Sequence, residues 1–135
     1  MNTGAQAELI AARYLQQRGL QLIAQNYRCR FGEIDLIMQE GNTLVFAEVR
    51  LRSSTNFGGA AASIDLRKQR KLICTAQHYL TTLPTTPPCR FDALLLRSRS
   101  TQATLPLQRG KPGIKDLLRE FPDSDIEWIK NAFGA

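Results

Sequence analysis

The chain has 135 residues, 43% of them hydrophobic, and a net charge of +6. This length is sufficient for one domain with its own hydrophobic core, and no apolar stretch is long enough to span a membrane. The N-terminus lacks the basic-then-apolar order of a signal peptide, and three cysteines without CxxC spacing argue against a disulfide framework and a zinc site. We therefore expect a single cytoplasmic domain over residues 1–135, in a reducing environment.

The positive charge is concentrated in two parts of the chain. Residues 1–49 sum to −1 and residues 120–135 to −3, whereas residues 50–71 and 90–119 sum to +5 each. Two basic blocks around an acidic centre suit the binding of a polyanion, with a ligand coordinated at that acidic centre. Because Lys and Arg are also common on ordinary protein surfaces, charge alone leaves nucleic-acid binding open.

The first predicted element is a helix with one unusual acid. Thr3 and Gln6 form a capping-box pattern at its start, and Gly19 is a natural C-terminal stop. At about 100° per residue, Glu8 falls on the inward face, which is lined by Ala11, Ala12, Tyr14 and Leu15. Glutamate is rarely buried without a partner, so Glu8 stands out.

A first strand over residues 20–30 and a hairpin within residues 32–50 are predicted next. Two apolar runs of the hairpin are joined by Gly41 and Asn42, a pair that is typical of a tight two-residue turn. With these two residues as the loop, the flanking residues pair, and all paired residue numbers sum to 83.

That register brings four charged residues together. Asp35 faces Glu48 and Glu33 faces Arg50, with all four side chains on one side of the sheet. Facing carboxylates about 5 Å apart destabilise a purely structural hairpin, and a divalent cation between them removes the repulsion. Glu8 is a candidate third acid. A register shifted by one residue would place Asp35 and Glu48 on opposite faces.

A structural interpretation of the same residues stays open. In it, Glu33 and Arg50 form a cross-strand ion pair, and backbone amides satisfy Asp35. The coincidence of a tight turn, facing acids, an adjacent cation and flanking basic blocks favours the metal site, since clustered acids mark functional sites.

A second helix is predicted from near Ser63 to about Leu83, just before Pro84. Gln69 lies on its apolar stripe and Lys68 at the edge of that stripe. Three cations face away from the core, namely Arg67, Arg70 and Lys71.

The last third of the chain has fewer signals. Phe91 to Leu96 predicts a short buried strand. Residues 98–125 are expected to be mostly loop, with a short helix from Ile114 to Phe121. The apolar residues 126–133 should pack back on the sheet, anchored by Trp128.

Several chemically capable residues are interpreted as structural. His78 lies opposite the apolar stripe of the second helix and should be solvated. Asp92 is expected to be a structural partner at the start of its strand. The cysteines are expected to be small packing residues.

Short motifs resemble known families. Asp35 followed by Glu48-Val49-Arg50 on the next strand resembles the PD-(D/E)xK nuclease superfamily, which has the restriction-endonuclease-like fold. The segments GEIDLI, FAEVR, KQ at 68–69, RFD at 90–92 and IKNAF look like the YraN-type family of uncharacterised bacterial proteins, over nearly the whole chain. The resemblance implies an α/β fold with a mixed central sheet of about four to five strands flanked by helices.

The resemblance also implies an activity. By similarity with Holliday junction resolvases of that fold, Glu8 matches the helix acid, Asp35 the central aspartate and Glu48 the glutamate of the ExK motif. These acids would hold Mg²⁺ or Mn²⁺ for phosphodiester hydrolysis in structured or branched DNA. Resolvases of this fold act as dimers, so a homodimer is implied as well.

Arg50 stands where the motif has lysine. It keeps the charge and can hold a phosphate bidentately, but it cannot lose a proton at neutral pH. Lys68 could reach the site from the helix edge. A non-catalytic nucleic-acid-binding protein with this fold is therefore the alternative function, and a protein-interaction domain using its apolar tail is a third.

The remaining residues of the implied site are basic or accessory. Arg50 would stabilise charge on the phosphate. Glu33 is an accessory residue, as is Gln69, which could fix a water or a ligand or be an ordinary hydrogen-bonded helix residue. Contacts with nucleic acid are expected from Arg52, Arg67, Lys68, Arg70 and Lys71.

Overall fold

The described part of the protein forms one sheet flanked by two helices. The computed structural model describes residues 3–53, 64–98 and 125–133. In chain order its elements are α1 (Thr3–Gln17), β1 (Gln21–Cys29), β2 (Gly32–Glu40), β3 (Thr43–Ser53), α2 (Leu66–Leu80), β4 (Cys89–Ser98) and β5 (Ile126–Phe133). The predicted order of helix, three strands, helix and strand is confirmed, and the apolar tail adds a fifth strand.

The sheet is mixed, with the strand order β1-β2-β3-β4-β5. Its neighbours pair antiparallel except for β3 and β4, which are parallel and are separated in the chain by α2. A parallel pair needs such a crossover connection, usually a helix. The expected α/β fold with a mixed sheet of four to five strands is confirmed, and it is compatible with the restriction-endonuclease-like fold.

A hydrophobic cluster covers each face of the sheet. Val45 and Ala47 of β3 point into the cluster that contains α1, whereas Leu44 and Phe46 point into the cluster that contains α2. This is the period-two alternation of a strand buried on both sides. We call these sides the α1 face and the α2 face.

Helix α1 ends where its glycine predicts. Gly19 has φ +96°, a left-handed conformation that glycine adopts without strain, and the Leu20 amide bonds back to the Leu15 carbonyl at 3.1 Å. The inward face is buried as predicted at Ala11, Ala12 and Leu15, with Tyr14 half-buried. The side chain of Thr3, the proposed cap, lies outside the described part.

Helix α2 is shorter than predicted at both ends. It begins at Leu66, because the side chain of Asp65 accepts a hydrogen bond from the Lys68 amide at 2.8 Å and caps the first turn. It ends at Leu80, and residues 81–83 continue as a turn. The predicted start at Ser63 lies outside the described residues.

Strand β5 is held to β4 through Asp92, which is fully buried. Its carboxylate accepts hydrogen bonds from Trp128 Nε1 at 2.9 Å, from the Asn131 amide at 2.9 Å and from Arg90 Nε at 3.0 Å. The structural interpretation of Asp92 is confirmed, and Trp128 anchors the tail as expected.

The prediction for the cysteines was largely wrong, because Cys74 and Cys89 are exposed and only Cys29 is half-buried. His78 is exposed as predicted. The loop expected over residues 98–125, with its helix from Ile114 to Phe121, falls almost wholly outside the described residues. Neither described helix is both long and apolar enough to cross a membrane.

Candidate active site

The β2–β3 hairpin pairs regularly near its turn, and this pairing ends just before Asp35. The predicted register is confirmed from Glu40–Thr43 to Leu36–Ala47. Beyond Leu36 the Val49 amide of β3 bonds to a side chain of β2 and not to its backbone. Its acceptor is Asp35 Oδ2, at 2.8 Å. Asp35 and Glu48 are therefore not a cross-strand pair, and that part of the prediction was wrong.

The alternation of side chains is broken at Asp35. Ile34 packs on the α2 face and Leu36 on the α1 face, although they are two residues apart. The neighbouring strand has an irregularity at the same level, where Asn26 has φ +53° between two regular β1–β2 pairs. Asparagine tolerates this left-handed conformation better than most residues do.

This break corrects the prediction that all four hairpin charges share one face. Glu33 precedes Ile34, so alternation puts it on the α1 face. There it pairs with Arg28, Nε to Oε2 at 3.2 Å. Glu48 follows the α1-facing Ala47 and lies on the α2 face. The Glu33–Arg50 pairing is thus replaced by two separate ion pairs.

Asp35 sits between the two other acids. Glu8 of α1 and Glu48 of β3 each lie within reach of a side-chain hydrogen bond to Asp35, one from each face of the sheet. Burial first, and the Asp35 carboxylate second, raise the pKa of Glu8 and of Glu48 to about 7. The structure therefore places Asp35 between the two other predicted acids, which approach it from opposite faces of the sheet.

Two cations contact the most buried of these acids. Glu48 is only 4% exposed. Its Oε2 lies 3.2 Å from Lys68 Nζ and 3.8 Å from Arg50 Nη1. The lysine comes from the first turn of α2, and it contacts Glu48 from the edge of that helix. It is closer to the carboxylate than the arginine at the motif position.

The other predicted residues lie around this centre. Gln69 donates a hydrogen bond to the Ile64 carbonyl at 2.8 Å, as an ordinary structural residue would. The backbone of Arg52 pairs with that of Arg97, and the Arg52 side chain is outside the described part. The three outward cations of α2 are exposed, namely Arg67, Arg70 and Lys71.

Asn26 is a site residue that the sequence did not reveal. Its side chain forms a hydrogen bond with Glu8 that lowers the pKa of that carboxyl against the larger effect of burial. The available signal was an asparagine within a strand pattern, because asparagine is depleted in strands and enriched at left-handed positions.

The donor chemistry of the site fits a hard divalent cation. Its acids offer only carboxylate oxygens, which suit Mg²⁺ and Mn²⁺, and burial and the Asp35 carboxylate raise the pKa of two of them. Over residues 3–53, 64–98 and 125–133, no group of three or more His, Cys, Asp or Glu side chains is arranged so that it could hold a metal ion. Mg²⁺ usually keeps several waters and needs only one or two carboxylates.

Comparison with known sequences points to one family. The profile described as "Uncharacterised protein family UPF0102" matches residues 7–96. A UPF0102 protein of Nitrosomonas europaea is 49% identical over 132 residues, covering 98% of this chain and 93% of the relative. A UPF0102 protein of Methylococcus capsulatus is 56% identical over 133 residues, covering 98% and 91%. One of Methylobacillus flagellatus is 48% identical, covering 98% and 96%.

Proposed function

We propose that this chain, which belongs to the uncharacterised protein family UPF0102, is a Mg²⁺- or Mn²⁺-dependent endonuclease acting on structured or branched DNA. The observation that carries the proposal is the proximity of Asp35 to both Glu8 and Glu48. Lys68 in turn forms an ion pair with Glu48. Acids that destabilise each other without a cation are typical of a metal site.

Each acid would have a defined part in holding the metal. A divalent cation bound there would supply a water of lowered pKa and neutralise charge on the phosphate. Asp35 and Glu48 would be ligands, with Glu8 as a third or as a ligand to a coordinated water. The Val49 amide fixes the orientation of Asp35, and Asn26 fixes that of Glu8.

The two cations on Glu48 would have different tasks. A lysine ammonium is a compact point charge with three donors, whereas an arginine guanidinium is a planar fork that matches two phosphate oxygens. Lys68 would orient the attacking water, and Arg50 would stabilise the charge that develops on the phosphate oxygens. Lys68 of α2 would thus take the part of the motif lysine, whose position on β3 is occupied by Arg50. The four other predicted nucleic-acid contacts would bind backbone phosphates, namely Arg52, Arg67, Arg70 and Lys71.

The second candidate is a non-catalytic nucleic-acid-binding protein with the same fold. It is supported by Arg50 at the motif lysine position and by the exposed cations of α2. Both candidates require DNA affinity that falls with rising salt, because phosphate contacts release counterions. A cytoplasmic location and a homodimer that presents two sites to two strands belong to the proposal as well.

A cleavage assay separates the two candidates. Four-way junctions, flaps, single strands and duplexes are incubated with Mg²⁺ or Mn²⁺ and with the wild type, Asp35→Asn or Glu48→Gln. We expect cleavage of at least one branched substrate, and a loss of about 100-fold or more in each variant. Glu127→Gln is the matched control, because Glu127 is an exposed carboxylate on β5.

Two outcomes would end the nuclease proposal. One is the absence of cleavage on every substrate with either metal. The other is cleavage that survives in both Asp35→Asn and Glu48→Gln, which would place it outside this site or in a contaminant. DNA binding that persists without any cleavage would leave the second candidate standing.

A further inference from the structure

Exposed rings meet at one end of the sheet. Phe31, in the turn between β1 and β2, is 39% exposed, and its ring centroid lies 6.3 Å from that of His78 on α2. The Arg30 guanidinium lies 5.0 Å from the Phe31 ring centroid. His78 Nδ1 is 2.6 Å from the Tyr27 hydroxyl, which holds the imidazole in place. We call Arg30, Phe31, Lys71 and His78 the ring surface.

The turn is held directly against α2. Gly32 has φ +152°, and a Cβ there would lie 3.2 Å from Thr75 Oγ1 and 3.7 Å from the Lys71 Cβ. Only glycine permits both this backbone conformation and this close approach. The position of Phe31 beside the helix is therefore set by backbone packing.

The surroundings of these rings are basic. Residues 27–32 and 66–80 together contain six Lys or Arg and no Asp or Glu, namely Arg28, Arg30, Arg67, Lys68, Arg70 and Lys71. Arg28 is paired with Glu33. The exposed cations of α2 form no ion pair with a carboxylate of the described residues. An anion is the ligand that this surface suits.

The ring surface lies along the same helix as a lysine of the candidate active site. Lys68 contacts Glu48 from the first turn of α2, and His78 follows ten residues later in the same helix. That separation is about 15 Å along the helix axis. Lys71 lies between them on the same side, next to Gly32. A chain bound at the carboxylates could follow α2 to the rings.

We propose that the ring surface binds an unpaired, single-stranded segment of DNA, with bases stacked on Phe31 and His78 and phosphates held by Arg30 and Lys71. Aromatic platforms beside cations are how single strands are held without sequence preference. A base inside a duplex is already stacked on both sides, so the surface selects DNA with a single-stranded arm. This inference rests on the proposed function, since it names the substrate class for that site.

The test measures binding in EDTA, where no cleavage occurs. Fluorescence anisotropy compares a labelled oligothymidylate of about 12 nucleotides with a strand of equal length that lacks bases. We expect Phe31→Ala and His78→Ala each to weaken oligothymidylate binding by about fivefold or more. Phe31→Trp should retain it, and the wild type should bind the strand without bases as weakly as Phe31→Ala binds oligothymidylate. Ile23→Ala, at a β1 residue of similar exposure, is the control.

Three results would overturn the inference: Phe31→Ala binding within twofold of the wild type, a base-free strand bound as tightly as oligothymidylate, or equal weakening by Ile23→Ala. If Phe31→Ala does not fold, as judged by circular dichroism, two other measurements test the inference. Phe31→Trp should still bind oligothymidylate, and the wild type should bind the base-free strand more weakly than oligothymidylate. A cleavage assay of the wild type with Mg²⁺ or Mn²⁺, run beside the binding measurements, separates the two proposals. Phe31-dependent binding without cleavage refutes the nuclease alone, and cleavage with Phe31-independent binding refutes the ring surface alone.

Discussion

Asp35 and Asp92 are two aspartates of one sheet with opposite surroundings. Asp92 receives hydrogen bonds from an arginine, an indole and a backbone amide. Asp35 receives one from the Val49 amide, and its other neighbours are the carboxyl groups of Glu8 and Glu48. The first carboxylate is fully satisfied by the protein, whereas the second lies beside two carboxyl groups whose pKa values its charge raises. Burial alone does not distinguish a functional acid, but its partners do.

The largest expected effect is on stability, at Asp92. Asp92→Asn leaves Arg90, whose side chain is only 20% exposed, with Glu40 as its remaining anionic partner. Breaking a buried charge pair in this way costs about 3–5 kcal/mol. We expect a loss of that order in the free energy of unfolding, measured by urea denaturation in EDTA. Asp35→Asn should lose nothing or gain stability, and an equal loss in both variants would erase the distinction between the two aspartates.

The next effect concerns the pH dependence of stability without metal. The pKa of Glu48 is raised to about 7 in the folded protein, above its value in the unfolded chain. The stability that this group contributes is therefore present below its unfolded pKa and is lost as the pH rises through about 7. A shift of this size is worth up to about 3 kcal/mol.

Glu48→Gln tests this sign. In EDTA we expect the wild-type melting temperature to fall between pH 5 and pH 8, and the variant to fall less. Adding Mn²⁺ at pH 8 should raise the wild-type melting temperature and leave that of the variant nearly unchanged, because a cation that binds only the folded state stabilises it. A wild-type curve that rises with pH in EDTA would contradict the arrangement of acids described above.

The two cations on Glu48 can be ranked by activity. We expect Lys68→Met to lower kcat on a branched substrate by about 100-fold or more, as removal of a group that acts on the attacking water does. Arg50→Lys keeps the charge and supplies the motif residue, so activity should be retained or raised. Steady-state kinetics with Mg²⁺ measure both. A strong loss in Arg50→Lys with little effect of Lys68→Met would make the arginine the working residue.

The regular parts of this site were predictable from local rules, and the irregular part was not. Helical periodicity placed Glu8 inward and Lys68 at the edge of its stripe, and a Gly-Asn turn gave the correct register as far as Leu36–Ala47. Beyond that point the alternation rule assumes an unbroken strand. The break at Asp35 coincides with Asn26 on the neighbouring strand, a tertiary feature that no pattern within the hairpin contains.

Helix ends show the same limit on a smaller scale. The α2 predicted from apolar periodicity is several residues too long at each end. Periodicity indicates which face of a helix is buried, but it does not indicate where the backbone hydrogen bonds of the helix end. The start is set by the side chain of Asp65, which accepts from the Lys68 amide. That cap fixes the first turn and with it the position of the Lys68 side chain on Glu48.

The smallest expected effect is at Asn26 and isolates positioning from chemistry. Asn26→Gly keeps a residue that tolerates φ +53° and removes the hydrogen bond to Glu8, so the fold should persist. We expect kcat to fall by about tenfold, the value of one net hydrogen bond to a charged group. KM should change little, because Asn26 touches no proposed phosphate contact. The pH at which activity reaches half its maximum should rise, since Asn26 lowers the pKa of Glu8.

An unchanged pH profile together with a lower melting temperature would make Asn26 a purely structural residue, and Glu8 would then be positioned by Asp35 alone.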